Sequence, residues 1–363
     1  MIRVLLVDDS ALIRTMLKQV FKEDGRFELA GEAHNGQDAV EKASEGNIDL
    51  IIMDINMPVM DGIEATRRIS DFSDVAIVMF TTEDTMDSTY RCISAGALEV
   101  FSKPNLADMT QEMLREFREK IYVISQTHKK KSRPILGGGG LRARAEASLA
   151  SPAKDSPAQK DGPLPHIPAR DYELLLIGSS TGGPSAIQTI LKQLPEDFPL
   201  PIVITQHIDK QFDKQLVKWL DDTTHFTVSL AENGERPEAG HVYIAPADRH
   251  LVVSKAGRNC MLELDDAPPL HFLRPSVDKL FFSAAMFLGN KALAVILTGM
   301  GRDGADGAVE IKRAGGFMIA QDEASCIVFG MPKAVIEAGA AGAVLPLNGI
   351  AKAVSEAAGH IQR

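Results

Sequence analysis

Between residues 127 and 170 the regular alternation of apolar and polar residues stops. The stretch THKKKSRPILGGGGLRARAEASLASPAKDSPAQKDGPLPHIPAR is rich in Pro, Gly, Ser, Ala and charge, with no sustained apolar period. It reads as a linker, flexible through its glycines and stiffer towards its prolines. Its one weak helical pattern lies at 143–149. A chain of 363 residues is long for one core and comfortable for two. The expected organisation is one domain over 1–125, a linker over 126–170 and a second domain over 171–363.

Both flanks alternate strand and helix. In the first, RVLLV, FELAGEA, DLIIMD, VAIVMF and LEVF read as short buried strands, and ALIRTMLKQVF and ADMTQEMLREFREKI have helical spacing. Five such βα units imply an α/β fold, a (βα)5 doubly wound parallel sheet. In the second, ELLLIG, PIVITQ, ALAVIL, GFMIA and GAVLPL read as strands among helices such as PSAIQTILKQL and SVDKLFFSAAMFL. This predicts a second doubly wound α/β domain. Residues 226–264, with HVYIAP and HLVVS between turn residues, read as a small antiparallel section. No repeat relates the two halves.

The formal net charge of −10 offers nothing that draws the chain to nucleic acid, and no helix-turn-helix pattern is present. Cys92, Cys260 and Cys326 lie far apart without metal-ligand spacing and read as reduced thiols. No apolar run approaches the ~20 residues that span a bilayer. The apolar run in MIRVLLVDDS is too short for a signal peptide. The expectation is a cytoplasmic monomer with no direct membrane insertion.

Chemistry begins at the strand ends. Asp8 and Asp9 close the first strand and Asp54 the third, at the edge where open α/β sheets bind ligands. A lone strand-end aspartate commonly only caps a helix. Three carboxylates on one rim repel one another unless they hold a hard cation such as Mg²⁺. Thr81 and Lys103 end the fourth and fifth strands, adding a hydroxyl and a positive charge. Together they make a kit for phosphoryl transfer. With LLVDDS, IIMDINMPVMDG, MFTT and SKP in place, the first half resembles a response-regulator receiver domain. The resemblance implies Asp54 as phospho-acceptor, Asp8 and Asp9 as helpers in Mg²⁺ binding, Thr81 as switch hydroxyl and Lys103 as phosphoryl contact. Asn56 departs from the acid many receivers carry there.

The second half opens with LLLIGSSTGGPSAI, a strand, a small-residue turn and a helix. Its glycines, Gly178, Gly182 and Gly183, are misplaced for a dinucleotide fingerprint, and the next strand ends in Gln206 and His207 instead of an acid. The nucleophile reading fits better. Gly178-Ser179-Ser180-Thr181-Gly182 satisfies G-x-S-x-G, which exposes Ser180 at a helix start and lets the Thr181 N–H face a developing oxyanion. His207, on the adjacent strand end, is the candidate base, with His250 and His271 as rivals in the same domain. Asp303, in the turn of AVILTGMGRDG, is the candidate carboxylate partner; as a turn residue it could equally cap a helix. Asp306 should face along the following helix. The order Ser, His, Asp differs from that of α/β-hydrolases.

IGSSTGGPSAI, TQH, RPSVDKLFFSAA, ILTGMGRDGADG and GMPKAVIEAG together resemble the catalytic domain of chemotaxis receptor methylesterases of the CheB type. The resemblance implies Ser180 as nucleophile, His207 as base, Asp303 as orienting acid, and Thr181 with the Met300 N–H at the oxyanion site. It also implies glutamate methyl esters of chemoreceptors as substrate, glutamine deamidation as a companion reaction, and a chemotaxis histidine kinase as phosphoryl donor. The esterase itself would need no cofactor. The alternative from another class is a receiver with a non-enzymatic output domain that binds a receptor or a nucleotide.

Overall fold

The computed structural model describes residues 1–82, 89–103, 110–132 and 167–359. The N-terminal unit runs β1 (Ile2–Val7), α1 (Ala11–Lys22), β2 (Phe27–Ala33), α2 (Gly36–Ser44), β3 (Leu50–Met53), α3 (Gly62–Phe72), β4 (Ala76–Thr81), α4 (Thr89–Ser94), β5 (Glu99–Ser102) and α5 (Gln111–Ser132). Its five strands are parallel, in the order β2-β1-β3-β4-β5. Side chains alternate between the faces of a strand, so β1 serves two cores. Leu5 and Val7 join Ile51, Met53, Ile77 and Met79 on one side. Val4 and Leu6 join Phe21 of α1 and Ile121 and Ile124 of α5 on the other. Helices on both faces explain why the inner strands β1, β3 and β4 are buried on nearly every residue, while the edge strands β2 and β5 are only partly buried.

The second unit runs β6 (Leu174–Ser179), α6 (Gly183–Gln193), β7 (Ile202–Gln206), α7 (Asp213–Thr223), β8 (Thr227–Leu230), β9 (His241–Ile244), β10 (His250–Ala256), β11 (Asn259–Asp265), α8 (Val277–Leu288), β12 (Ala292–Ile296), α9 (Ala305–Arg313), β13 (Phe317–Gln321), α10 (Met331–Glu337), β14 (Ala343–Leu345) and α11 (Leu347–Ala358). A seven-stranded sheet in the order β14-β13-β12-β6-β7-β9-β8 forms its centre. Every pair in it is parallel.

The antiparallel section is smaller than the sequence suggests. Among the described residues the antiparallel strand pair is β10 with β11, which Glu235 joins by a bridge to Leu262, while β8 and β9 extend the parallel sheet. Val242, Tyr243 and Ile244 are buried, so β9 is an interior strand. A short apolar run of that kind does not by itself reveal the direction of its partner.

Helix α5 continues through Ser132, past the expected domain end at 125. Most of the expected linker, including GGGG and 143–149, lies outside the described residues. Among those described, no helix is long and apolar enough to cross a membrane.

The two units touch. Tyr90 of α4 stacks on Trp219 of α7, with centroids 5.1 Å apart and planes 20° from parallel. Its hydroxyl donates to the Phe212 carbonyl at 3.4 Å. Ile327 and Val328, which precede α10, join the apolar cluster of Ile121 and Ile124. The receiver-like unit therefore rests on the second unit through α4, β5 and α5.

Candidate active site

The acidic pocket of the first unit forms where β1, β3, β4 and β5 end side by side. Carboxylate oxygens of Asp8, Asp9 and Asp54 lie within 4.8 Å of one another. The Lys103 ammonium bridges Asp8 Oδ2 at 2.7 Å and Asp54 Oδ1 at 2.9 Å. Thr81, buried at the end of β4, accepts the Lys103 N–H on its carbonyl at 2.6 Å, which fixes the lysine beside the acids. Burial raises the Asp54 carboxyl above its ordinary value, and Lys103 opposes that rise. Three converging carboxylates make a hard-oxygen donor set of the kind a divalent cation takes. The structure brings Asp8, Asp9, Asp54 and Lys103 together here, with Thr81 tied in through its backbone carbonyl.

In the second unit the candidate triad comes from three neighbouring strands, β12, β6 and β7. Ser180 follows β6 directly. Its N–H donates to the Thr298 carbonyl at 3.1 Å, and its own carbonyl accepts from Gly183 at 2.7 Å, closing the turn. Gly182 sits at φ 74°, and a Cβ there would come within 2.7 Å of Ile327. Gly299 lies so close behind the turn that an added Cβ would stand 2.8 Å from the Ser180 Cβ. Both positions need glycine for the elbow to close.

The adjacent hydroxyls have different fates. Ser179 is fully buried and donates to Gln206 Oε1 at 2.6 Å. The same amide donates through Nε2 to the carbonyls of Ser180 at 2.9 Å and His207 at 2.8 Å. Gln206 thus ties the elbow to the end of β7, and Ser179 serves that brace. Ser180 instead lines the cavity together with Thr181 and His207.

His207 Nε2 meets Asp303 Oδ2 at 2.8 Å. Asp303, 4% exposed, lies at the start of α8 and accepts further bonds there. Val277 N–H reaches Oδ2 at 2.7 Å, and Asp278 N–H reaches Oδ1 at 3.0 Å. The Ser276 hydroxyl donates to Oδ1 at 2.8 Å. Burial works to raise this carboxyl, but His207 and the α8 N–H groups outweigh it and bring it down to about 2. The cap reading and the partner reading of Asp303 are therefore both present: it accepts the exposed donors of α8, not of α9. Sequence reasoning missed Ser276, Val277 and Asp278, because an anion cradle built from a distant helix leaves no mark in local spacing.

Among the described residues no direct hydrogen bond joins Ser180 Oγ to His207; the two share the cavity. Such contacts are often long before substrate binds. The rivals fall away. His250 is fully buried, with Nε2 at 3.2 Å from the Pro268 carbonyl, and burial lowers its pKa. His271 sits exposed on a turn. Asp306 pairs with Arg302 on the surface at 3.0 Å. Met300 lines a separate cavity with Phe329 and Val123, although its backbone follows Gly299, the residue that abuts Ser180.

The cavity of about 230 Å³ that holds Ser180 and His207 is walled on its other side by Tyr90, Glu99, Phe101 and Lys120 of the first unit. Glu99 Oε2 accepts the Gly182 N–H at 3.1 Å, at the very start of α6. Burial at this junction pushes the Glu99 carboxyl up to about 7. Glu99 carries no sequence signal, because it acts across the domain contact.

The profile of the CheB methylesterase family matches residues 175–354, and that of the response regulator receiver domain matches residues 4–116. A protein-glutamate methylesterase/protein-glutamine glutaminase of Thiobacillus denitrificans is 38% identical over 98% of this chain and 96% of its own length. The chain belongs to this family. A Thermotoga maritima relative of the same designation is 37% identical over 95% of each chain. The crystal structure of the Thermotoga maritima CheB methylesterase catalytic domain superposes with a TM-score of 0.50 and 45% identity, covering 51% of this chain and 98% of that one. In this CheB-family chain the two profiles coincide with the two α/β units, and the candidate triad lies inside the first-named match.

Proposed function

We propose that the chain hydrolyses methyl esters of glutamate side chains on chemoreceptors, and deamidates receptor glutamines by the same acyl transfer. The observation that carries this reading is the His207–Asp303 contact at 2.8 Å beside the Ser180 elbow. With Nε2 engaged by Asp303, Nδ1 is the nitrogen left to take the Ser180 proton. Ser180 Oγ then attacks the ester carbonyl, and the imidazolium, stabilised by ionised Asp303, protonates the departing methoxide oxygen, which leaves as methanol. Water, activated by the same histidine, clears the acyl-enzyme and frees a glutamate carboxylate. The N–H groups of Thr181 and Met300 are assigned to the oxyanion, since one follows the nucleophile in the turn before α6 and the other follows Gly299.

Regulation is assigned to residues 1–125, and catalysis to 171–363. Asp8, Asp9 and Asp54 would hold Mg²⁺, which when bound offsets the charge of an incoming phosphoryl group. Asp54 accepts that group from a chemotaxis histidine kinase, with Thr81 and Lys103 contacting it. The receiver wall of the catalytic cavity supports restraint of the unphosphorylated enzyme. Moving such a restraint from 1:99 to 99:1 takes about 5.5 kcal/mol of bias. The protein is assigned to the cytoplasm as a monomer. Methanol release from methylated receptor, with and without a phosphoryl donor, tests the reading; Ser180→Ala should abolish it. Turnover by that variant at the wild-type rate would overturn the assignment, and no release by the wild type would favour a non-enzymatic output.

A further inference from the structure

We propose that Phe272 is the contact by which the catalytic unit grips the polypeptide carrying the ester, an inference that rests on the esterase reading above. Phe272 stands at the tip of a tight turn. Leu270 and Leu273 close it with reciprocal backbone bonds of 3.0 and 2.9 Å. Between them, His271 and Phe272 both hold positive φ, at 50° and 66°. That region is uncommon for any residue with a Cβ and costly for a bulky one. Glycine or asparagine would relieve it, yet the turn carries an imidazole and a phenyl ring. Phe272 is 100% exposed.

Single exposed apolar residues are ordinary. This one differs in its backbone and its place. Phe272, Leu273 and Arg274 line the same cavity as Ser180 and His207. Arg274 roots the turn, its Nη1 donating to the carbonyls of Asp266 at 3.4 Å and Ala267 at 3.3 Å. The free protein thus holds a strained backbone and a water-facing aromatic at the mouth of its catalytic cavity. Strain of this kind persists where function uses it.

The occupant follows from the reaction. A glutamyl ester must enter the cavity to meet Ser180, while the main chain and neighbouring side chains that bear it stay at the rim. A rigid ring projecting there can bury against the apolar flank of that polypeptide, and aromatic anchors of this type dominate recognition energies. A small ester has no such flank. Phe272 accordingly sets the preference for a protein substrate over a small one.

The test uses the full chain with a phosphoryl donor and two substrates. One is a chemoreceptor cytoplasmic fragment methylated on glutamate; the other is a blocked glutamate γ-methyl ester. Phe272→Ala should lower the ratio of kcat/KM for receptor over kcat/KM for small ester by about tenfold, with the loss in KM. Phe272→Trp should restore most of the ratio. Phe272→Gly should lose the ratio equally while its Tm stays level or rises by ~2 °C, because glycine accepts the positive φ. An unchanged ratio, or a loss shared equally by both substrates, would overturn the proposal. So would a rise in small-ester turnover, which would place Phe272 against the receiver instead. Ser180→Ala run in parallel separates the readings: if it stays active the esterase assignment fails, whereas an inactive Ser180→Ala beside an unchanged Phe272→Ala ratio sinks only this proposal.

Discussion

Replacing Asp303 by asparagine is the sharpest probe of the proposed triad, because the surrounding donors dictate what the amide can do. In the native site Oδ2 accepts from Val277 N–H and engages His207, and Oδ1 accepts from the Ser276 hydroxyl and the Asp278 N–H. An asparagine has one acceptor oxygen and one NH₂ for these two positions. If the NH₂ takes the Oδ2 position it donates to His207 Nε2 and forces the ring proton onto Nδ1. That nitrogen then cannot accept the Ser180 proton, a wrong-tautomer effect worth ~10⁴ in kcat, or about 5.5 kcal/mol. In either placement the NH₂ opposes a buried N–H, that of Val277 at the Oδ2 position or of Asp278 at the Oδ1 position, at about 1–3 kcal/mol of stability. Both placements also remove the negative charge that stabilises the imidazolium. Single-turnover methanol release by the phosphorylated chain, with Tm measured alongside, reads both effects. Because Asp303 sits at about 2, it stays ionised throughout the working pH range. Its stabilising contribution is present above the ordinary aspartate value and is lost only as pH falls through about 2. A folded Asp303→Asn enzyme within tenfold of wild type would refute this account of the site.

Three further expectations follow from the same contacts. Ser179→Ala should retain methanol release but lose about 1 kcal/mol of stability, since it strips a partner from Gln206 Oε1; loss of acyl-enzyme formation in a folded variant would mean that the brace and the nucleophile have been interchanged. Asp278, 2% exposed, has its carboxyl pushed up to about 6 by burial and by neighbouring Asp303, so its ionisation opposes folding increasingly as pH rises from about 4 through 6. Asp278→Asn keeps an acceptor for Gly307 N–H and should raise Tm at pH 8 by a few degrees, on the order of 3 kcal/mol at most, with no gain at pH 4; a gain equal at both pH values would contradict the burial argument. Tyr90→Ala removes the stack on Trp219, worth ~0.5–1.5 kcal/mol beyond area burial, and should raise basal esterase activity several-fold without phosphorylation; unaltered basal turnover would show that this contact does not restrain the enzyme.

What could be read from the sequence was what repeats or sits at an element's end. Two runs of buried strands and helices announced two doubly wound units, because period and apolar length report burial directly. Asp8, Asp9, Asp54, Thr81 and Lys103 were legible because strand ends converge at one edge of a parallel sheet. Ser180, His207 and Asp303 were legible for the same reason, with small residues marking the turns. Local pattern could not give the direction of β8 and β9, since an interior strand reads alike in either orientation. The G-x-S-x-G spacing singled out Ser180 over Ser179, but it could not say what the other serine does; the buried amide of Gln206 engages Ser179. The anion cradle of Ser276, Val277 and Asp278, the Glu99 contact on Gly182, and the place of Phe272 beside the nucleophile all join residues distant in sequence. Such contacts have no period and no spacing, so only the packed chain decides them.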